Sequence, residues 1–501
     1  MQMHQLPTPR GLPVLGQLLD LSKPDIYRVL EDWAPEHGPM FTVRMPGREV
    51  LVIADGELAR QVIRARPTKF ARYRVMRDVI EEIGVKGVFT AEGEAWRRQR
   101  RLVMAGFNSR ALLASFDRVA DITLRLRDHL RAKNGEPVDV VGDLMRYAID
   151  VTGVVALGRD FDTIRRGPDV LRNHLQIVFP SVARRMAFPL PYWRYGIKLA
   201  EDRRLEESIR AVSEIVFDLI REARARLDAG DIDTPRNMIE ALLLARDDDD
   251  ASSHREGSSP TGQSPAGPPS EFERSALAAS AGPRGRSKQL AGGKLLTDHE
   301  VYSNVLSILL AGEDTTANTA AWMLHYAARL PRVAHRLRQE AEAAFEGEVL
   351  TSHDGARKMP YTAAVAYEAG RLRPVGAVLF LEALEGAEVG GVFVPARTPV
   401  FVLSRYIMTD ARNFGRPDEF LPERWLDDER PADLAHASKL DFSFGGGPRI
   451  CPGRPLALLE TAMVASMVAK GFDLEPATAE VGERIGFTLG PRNLKLRFHP
   501  R

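Results

Sequence analysis

Hydrophobic and polar positions divide the chain into stretches of different period. From Phe41 to Ile53 the run FTVRMPGREVLVI predicts two short strands around a Pro46-Gly47 turn. Before it, Pro7, Pro9 and Pro13 with Gly11 and Gly16 predict an extended arm laid on the body. Between about Leu58 and Leu244 apolar residues recur every three or four positions, with many arginines between them: mostly helix, and no internal repeat.

The pattern then fails. Residues 247–293 open on four aspartates and continue rich in Ser, Pro and Gly, with little to bury, which predicts a disordered segment. Without it, ALLLAR would run directly into KLLTDHE, so the segment reads as a loop insertion within one domain of 501 residues, in preference to a linker between two. Thr297 and Glu300 then have the spacing of a capping box. The following helix is apolar on nearly every side, at Val305, Leu306, Ile308, Leu309 and Leu310, and can run to Leu330 before Pro331. At 1.5 Å per residue it would be about 50 Å long and cross the whole protein. Another helix ends at Pro374, short strands and turns are expected from Glu385 to Val402, and a last helix from about Pro455 to Lys470. The fold class is therefore mainly α with small β-sheets.

Composition narrows the function classes. The 69 Lys and Arg nearly balance 68 Asp and Glu, which argues against a duplex-binding protein. No window reaches ~18 consecutive apolar residues, and the N-terminus lacks a basic segment followed by a long apolar one. The expectation is a cytoplasmic protein with no membrane anchor and no nucleic-acid partner, working as a monomer. One cysteine, Cys451, excludes intramolecular disulfides and multi-thiolate metal sites.

A solitary cysteine is ordinarily a small buried hydrophobe, but Cys451 sits in FSFGGGPRICPGRP. Three glycines permit close backbone approach, and the following helix places the sulfur at a helix N-terminus, where a thiolate is favoured. Arg449 can offer a bidentate fork to a carboxylate. Such a thiolate suits an axial ligand to haem iron.

Phe444, Gly447, Arg449, Cys451 and Gly453 reproduce the F-x-x-G-x-R-x-C-x-G signature, and here the sequence resembles the cytochrome P450 family along almost its whole length. The resemblance implies the P450 fold, with haem b between the long central helix and the C-terminal cysteine loop. Cys451 would be the iron ligand, Arg449 would hold a propionate and Phe444 would shield the sulfur. Glu368 and Arg371 match the family's E-x-x-R, with Arg424 as third member, a structural network bracing the cysteine loop. Trp96 and Arg100 match W-x-x-x-R and would reach propionates. In Ala311-Gly312-Glu313-Asp314-Thr315-Thr316 the Thr315 hydroxyl can bond the Ala311 carbonyl and open the helix locally. Ala311 would lie against the haem, Thr315 would stabilise bound dioxygen, and Asp314 would relay protons.

Val88 and Phe89 resemble loop residues over the haem, and Val378, Leu379 and Phe380 a second pocket wall, although all five could equally be core. Arg48 resembles a carboxylate-binding residue of some fatty-acid hydroxylases, with a plain surface arginine as the simpler reading. Two departures stand out. Leu381 falls near where many members carry another propionate-binding arginine, and Arg397 replaces a glycine common in its turn.

The expected activity is monooxygenation of a hydrophobic organic substrate, by hydroxylation or epoxidation of a lipid, terpenoid, steroid or other natural product. Dioxygen is the co-substrate. Electrons come ultimately from NAD(P)H through a ferredoxin or flavodoxin with its reductase, docking near Arg97, Arg98, Arg101 and Arg454. The rivals are a peroxide-using or isomerising haem-thiolate enzyme, against which the Asp314-Thr315 pair counts, and a haem-based sensor or carrier.

Overall fold

The strands that the Pro46-Gly47 turn predicts are present as β1 (Met40–Met45) and β2 (Arg48–Ile53), antiparallel, with Met45 opposite Arg48 and Gly47 at φ +73°. Asp55 caps the next helix, α1 (Gly56–Arg64), its carboxylate accepting the N–H groups of Glu57 and Leu58. The other elements that position the site are β3 (Phe70–Arg72), α2 (Gly93–Gly106), α3 (Val140–Thr152), α4 (Val170–Ala187), α5 (Asp298–Arg329) and α6 (Pro360–Leu372). They continue as β4 (Leu379–Ala383), β5 (Pro399–Val402), α7 (Arg454–Gly471), β6 (Gly482–Ile485) and β7 (Leu489–Arg492). The structure is a computed structural model and describes all residues except 24, 108, 168–169, 188–190, 233, 248–293 and 487.

Helices dominate. The largest sheet has the order β1-β2-β5-β4-β3, with β5 parallel to β2 and every other pair antiparallel. Strand structure begins at Leu379, earlier than the Glu385 expected, because Leu379–Glu382 pair with Pro399–Val402. Between them Arg397 has φ +64°, a left-handed backbone that explains why glycine is common at this turn.

The 32-residue α5 is the axis of the molecule. Its capping box forms as expected: the Thr297 hydroxyl accepts the Glu300 N–H at 3.2 Å, and the Glu300 carboxylate accepts the Thr297 N–H at 2.8 Å. The helix is buried along most of its length and supplies residues to two cores, one among the helices and one beneath the large sheet. Gly312 interrupts the good helix formers for a packing reason. A Cβ there would lie 2.7 Å from the Thr152 hydroxyl, so glycine lets α3 approach α5 closely. The helix nevertheless runs unbroken through this point.

The expected 247–293 insertion lies outside the described residues, except for Asp247. Its two ends meet: Arg246 and Asp247 pair antiparallel with Leu295 and Lys294. Among the described residues no helix is long and apolar enough to cross a membrane.

Candidate functional site

The cysteine loop is shaped by its glycines. Gly445 and Gly447 have φ of +75° and +59°, and a Cβ on Gly447 would lie 2.8 Å from the Ile63 carbonyl oxygen near the end of α1. The Phe444 carbonyl accepts the Cys451 N–H at 2.9 Å and closes the loop. Gly453 is the N-cap of α7, with Pro455 in its first turn. Burial pushes the Cys451 thiol pKa up, while donors from the Gly453 and Arg454 N–H groups, and the charges of Arg100 and Arg454, pull the other way. This deep sulfur is still exposed, so it borders an internal space.

Cations crowd one side of that space. The Arg449 guanidinium lies 4.6 Å from the Trp96 ring centroid, and it donates to the Val88 and Ala91 carbonyls and the Glu92 carboxylate. Glu92 is the N-cap residue of α2 and accepts the Arg72 N–H at 2.9 Å. Arg66 is buried with Nε and Nη2 unpartnered, and Arg449 Nε is unpartnered too. Burial, with Arg449 nearby, lowers the Arg66 pKa to about 10; burial, with Arg66 and Arg449 nearby, lowers Arg72 to about 9. Burial also lowers Arg100, which the Cys451 charge opposes.

Among the described residues, the guanidiniums of Arg66, Arg72 and Arg449 thus gather around the single carboxylate of Glu92, and Arg100 lies near Arg449 and Cys451. A flat apolar molecule bearing two carboxylates would answer both the charge excess and the orphaned donors. The donor set therefore fits haem.

Glu92, Arg66 and Arg72 were not singled out by sequence reasoning, although Leu381 carried the signal. In the β3–β4 pair Arg72 stands directly opposite Leu381, and residues so paired share one face of a sheet. The arginine absent from β4 is present on its neighbour.

Further candidate residues are on α5. Ala311 is exposed in the middle of a buried helix, with Gly312, Asp314 and Thr315 partly exposed beside it. The Thr315 hydroxyl donates to the Ala311 carbonyl at 2.6 Å, the back-bond expected from the spacing. The Asp314 carboxylate is held on both oxygens: Asn318 Nδ2 donates to Oδ1 at 3.2 Å and the Thr488 hydroxyl to Oδ2. Burial pushes the Asp314 pKa up, opposed by Thr488, Arg484 and Asn318. Glu313 turns away, 3.9 Å from Arg172 of α4, and burial raises its pKa to about 7.

The expected pocket walls separate into parts. Val88 is buried, and its N–H donates to Asn304 Oδ1 of α5 at 2.8 Å. Phe89 is partly buried and covered on one face by the Arg72 guanidinium, 3.6 Å from the ring centroid. Val378 and Phe380 pack with Phe41, Val43 and Phe401 in the core of the N-terminal strands, whereas Leu379 packs in the core that contains Trp322 and Leu381. Strand alternation accordingly prevents Val378, Leu379 and Phe380 from forming one wall. Arg48 is exposed and donates to the Tyr73 hydroxyl at 2.6 Å. Of the arginines expected at a docking face, Arg98 is tied to Glu300 and the Leu295 carbonyl, and Arg454 to the Tyr367 hydroxyl.

Behind the cysteine loop, Glu368, Arg371 and Arg424 are fully buried. Glu368 accepts from Arg371 Nε and Nη2 at 2.9 Å each, from Arg424 Nε at 3.0 Å, and from Trp425 Nε1 and the Leu421 N–H at 2.9 Å. Arg371 also holds the Met408, Pro417 and Glu419 carbonyls. The network thus ties α6 to the backbone between Met408 and Leu421. Phe444 packs edge-on against Tyr367 of α6, 6.2 Å between centroids.

Comparison with known proteins agrees with this arrangement. The family model described as Cytochrome P450 matches residues 6–261 and 273–498. A "Cyclooctat-9-en-7-ol 5-monooxygenase" from Streptomyces melanosporofaciens is 26% identical over 93% of this chain and 89% of its own. A "Dolabradiene monooxygenase" from Zea mays is 26% identical over 99% and 92%, and "Cytochrome P450 97B2, chloroplastic" from Glycine max 22% over 95% and 83%. The cysteine loop and a family match along nearly the whole sequence place the chain in the cytochrome P450 family, whose members are haem-thiolate monooxygenases.

Proposed function

We propose that the protein oxidises an olefinic or polycyclic hydrocarbon-rich substrate by hydroxylation or epoxidation, with electrons from a separate ferredoxin or flavodoxin in the cytoplasm. The observation that carries the reading is the thiol of Cys451, on the amides of Gly453 and Arg454, together with a buried helix whose middle is exposed at Ala311. The two monooxygenases named above act, by name, on a diene and an alkenol, which supports a substrate of that chemistry. A single cysteine cannot hold an iron–sulfur cluster, which supports an external electron donor.

Haem, when bound, supplies dioxygen activation, one oxygen atom passing to the substrate and the other leaving as water at the expense of two electrons. The chain's residues arrange the rest. Cys451 would ligate the iron as thiolate, helped by its two amide donors. Arg449, Arg66, Arg72 and Arg100 would hold the propionates, with Trp96 beside Arg449, and Glu92 shares the fork of Arg449. Ala311, with its small side chain, would leave room beside the haem. Thr315 presents a hydroxyl that can leave the Ala311 carbonyl to donate toward the reacting oxygen, and Asp314 holds the proton that must follow.

The test is a spin-state screen of the reconstituted protein against dienes, alkenols, steroids and fatty acids. Each hit is then turned over with a surrogate ferredoxin pair, and product is measured against reductant consumed. Oxygenated product from a diene or alkenol is the expected result. Turnover of fatty acids alone would overturn the substrate assignment and return attention to Arg48 and Tyr73.

A further inference from the structure

Asp314 is clasped from outside its own helix. The β6–β7 hairpin brings Thr488 onto it, whose hydroxyl and backbone N–H both donate to the carboxylate. Asn318, one turn along α5, bridges the two partners: its Nδ2 lies 3.0 Å from Thr488 Oγ1 and 3.2 Å from Asp314 Oδ1. The hairpin cannot drift from this position. A Cβ on Gly490 would fall 2.2 Å from Asn318 Oδ1, so the β7 backbone lies directly against the Asn318 amide. On its other side the Leu489 N–H donates to the Val375 carbonyl at 2.9 Å, and Leu489 packs with Ala377 and Val378.

A carboxylate whose two oxygens both accept hydrogen bonds is held in its charged form. Thr488 supplies two of the three donors, and it does so from a separate element, whereas Asn318 shares the helix.

We infer that Thr488 is the positioning residue of Asp314, fixing that carboxylate from the β6–β7 hairpin for proton delivery. The inference rests on Asp314 acting as the proton relay. The charged groups around Asp314 are Arg484 on β6 and Glu313 beside it on α5, Glu313 in turn facing Arg172 of α4. Arg484 supports the charged form and Glu313 opposes it. Neither replaces the two donors of Thr488.

The experiment uses the haem-loaded protein with a substrate from the spin-state screen. Thr488→Val, Thr488→Ser, Asp314→Asn and the double variant Thr488→Val/Asp314→Asn are compared with the parent. Product formed per reductant consumed is followed from pH 6 to 9, and hydrogen exchange is read across residues 482–492. Thr488→Val should keep the red-shifted Soret band of the ferrous CO complex and move the pH profile upward by about one unit, since a hydroxyl donor to the carboxylate is lost. Thr488→Ser should restore the parent profile. Thr488→Val should change nothing further in the Asp314→Asn background. Amide protection of 482–492 should fall several-fold in Thr488→Val and Asp314→Asn, a readout independent of turnover.

An unmoved profile in Thr488→Val, or a shift that persists without Asp314, would overturn the positioning role alone. If Asp314→Asn itself turns over like the parent, the relay reading fails, and the positioning role with it.

Discussion

Replacing Arg66 by methionine should act in opposite directions on the protein with and without haem. Without haem, Arg66 is a buried guanidinium with two unpartnered nitrogens and a second cation, Arg449, nearby. Burial lowers its pKa to about 10, which at ~1.36 kcal/mol per pKa unit corresponds to about 3 kcal/mol of unfavourable charge burial. Methionine keeps most of the apolar stem and removes the charge, so the apoprotein should gain up to about 3 kcal/mol. In the proposed haem complex the same guanidinium would donate to a propionate, and a hydrogen bond to a charged group is worth about 1.5–3 kcal/mol. Its loss should speed haem release by roughly tenfold to a hundredfold.

Urea unfolding of the apoprotein reads the first effect, and transfer of haem to an excess of apomyoglobin reads the second. The reasoning is refuted if Arg66→Met destabilises the apoprotein while haem release keeps its parent rate. That outcome would make Arg66 an ordinary packed residue and leave the cationic excess unexplained.

Three further outcomes follow from other parts of the molecule. Glu368→Ala would leave the buried Arg371 and Arg424 guanidiniums without their carboxylate, at a cost of about 3–5 kcal/mol; soluble haem-loaded protein should be nearly lost, and an unchanged yield would contradict the bracing role. Glu313 has its pKa raised to about 7 by burial, against Arg172, so the stability it contributes is complete below 4.5 and lost as pH rises through about 7. Glu313→Gln should flatten the decline of Tm between pH 5 and 8, and an identical slope would show that Glu313 does not titrate there. Arg397→Gly should relieve the left-handed backbone at φ +64° and raise stability by up to about 1 kcal/mol in thermal unfolding, whereas a lower Tm would mean that the arginine side chain matters more.

Much of the fold was legible because local signals agreed with one another. The capping box at Thr297 and Glu300 and the Pro46-Gly47 turn are short-range patterns whose physics is complete within a few residues. The cysteine loop was legible for the same reason, since Gly447 is required both by its φ and by the nearby Ile63 carbonyl. What stayed hidden depends on distant pairs. Arg72 becomes meaningful only opposite Leu381, Glu92 only beneath Arg449, and Thr488 only on Asp314. The pocket wall at Val378–Phe380 misled because a strand sends alternate side chains to opposite cores, and position in sequence does not say which face is lined.

The reading of the whole site stands on a thiolate at Cys451. The most direct measurement is the absorption difference spectrum of the ferrous CO complex, for the parent and for Cys451→Ala loaded with haem. The parent should show the strongly red-shifted Soret band of thiolate ligation, and the variant should lose it completely, because the sequence offers no second cysteine. A red-shifted band that survives in Cys451→Ala, or its absence from a parent protein that holds haem, would contradict the account.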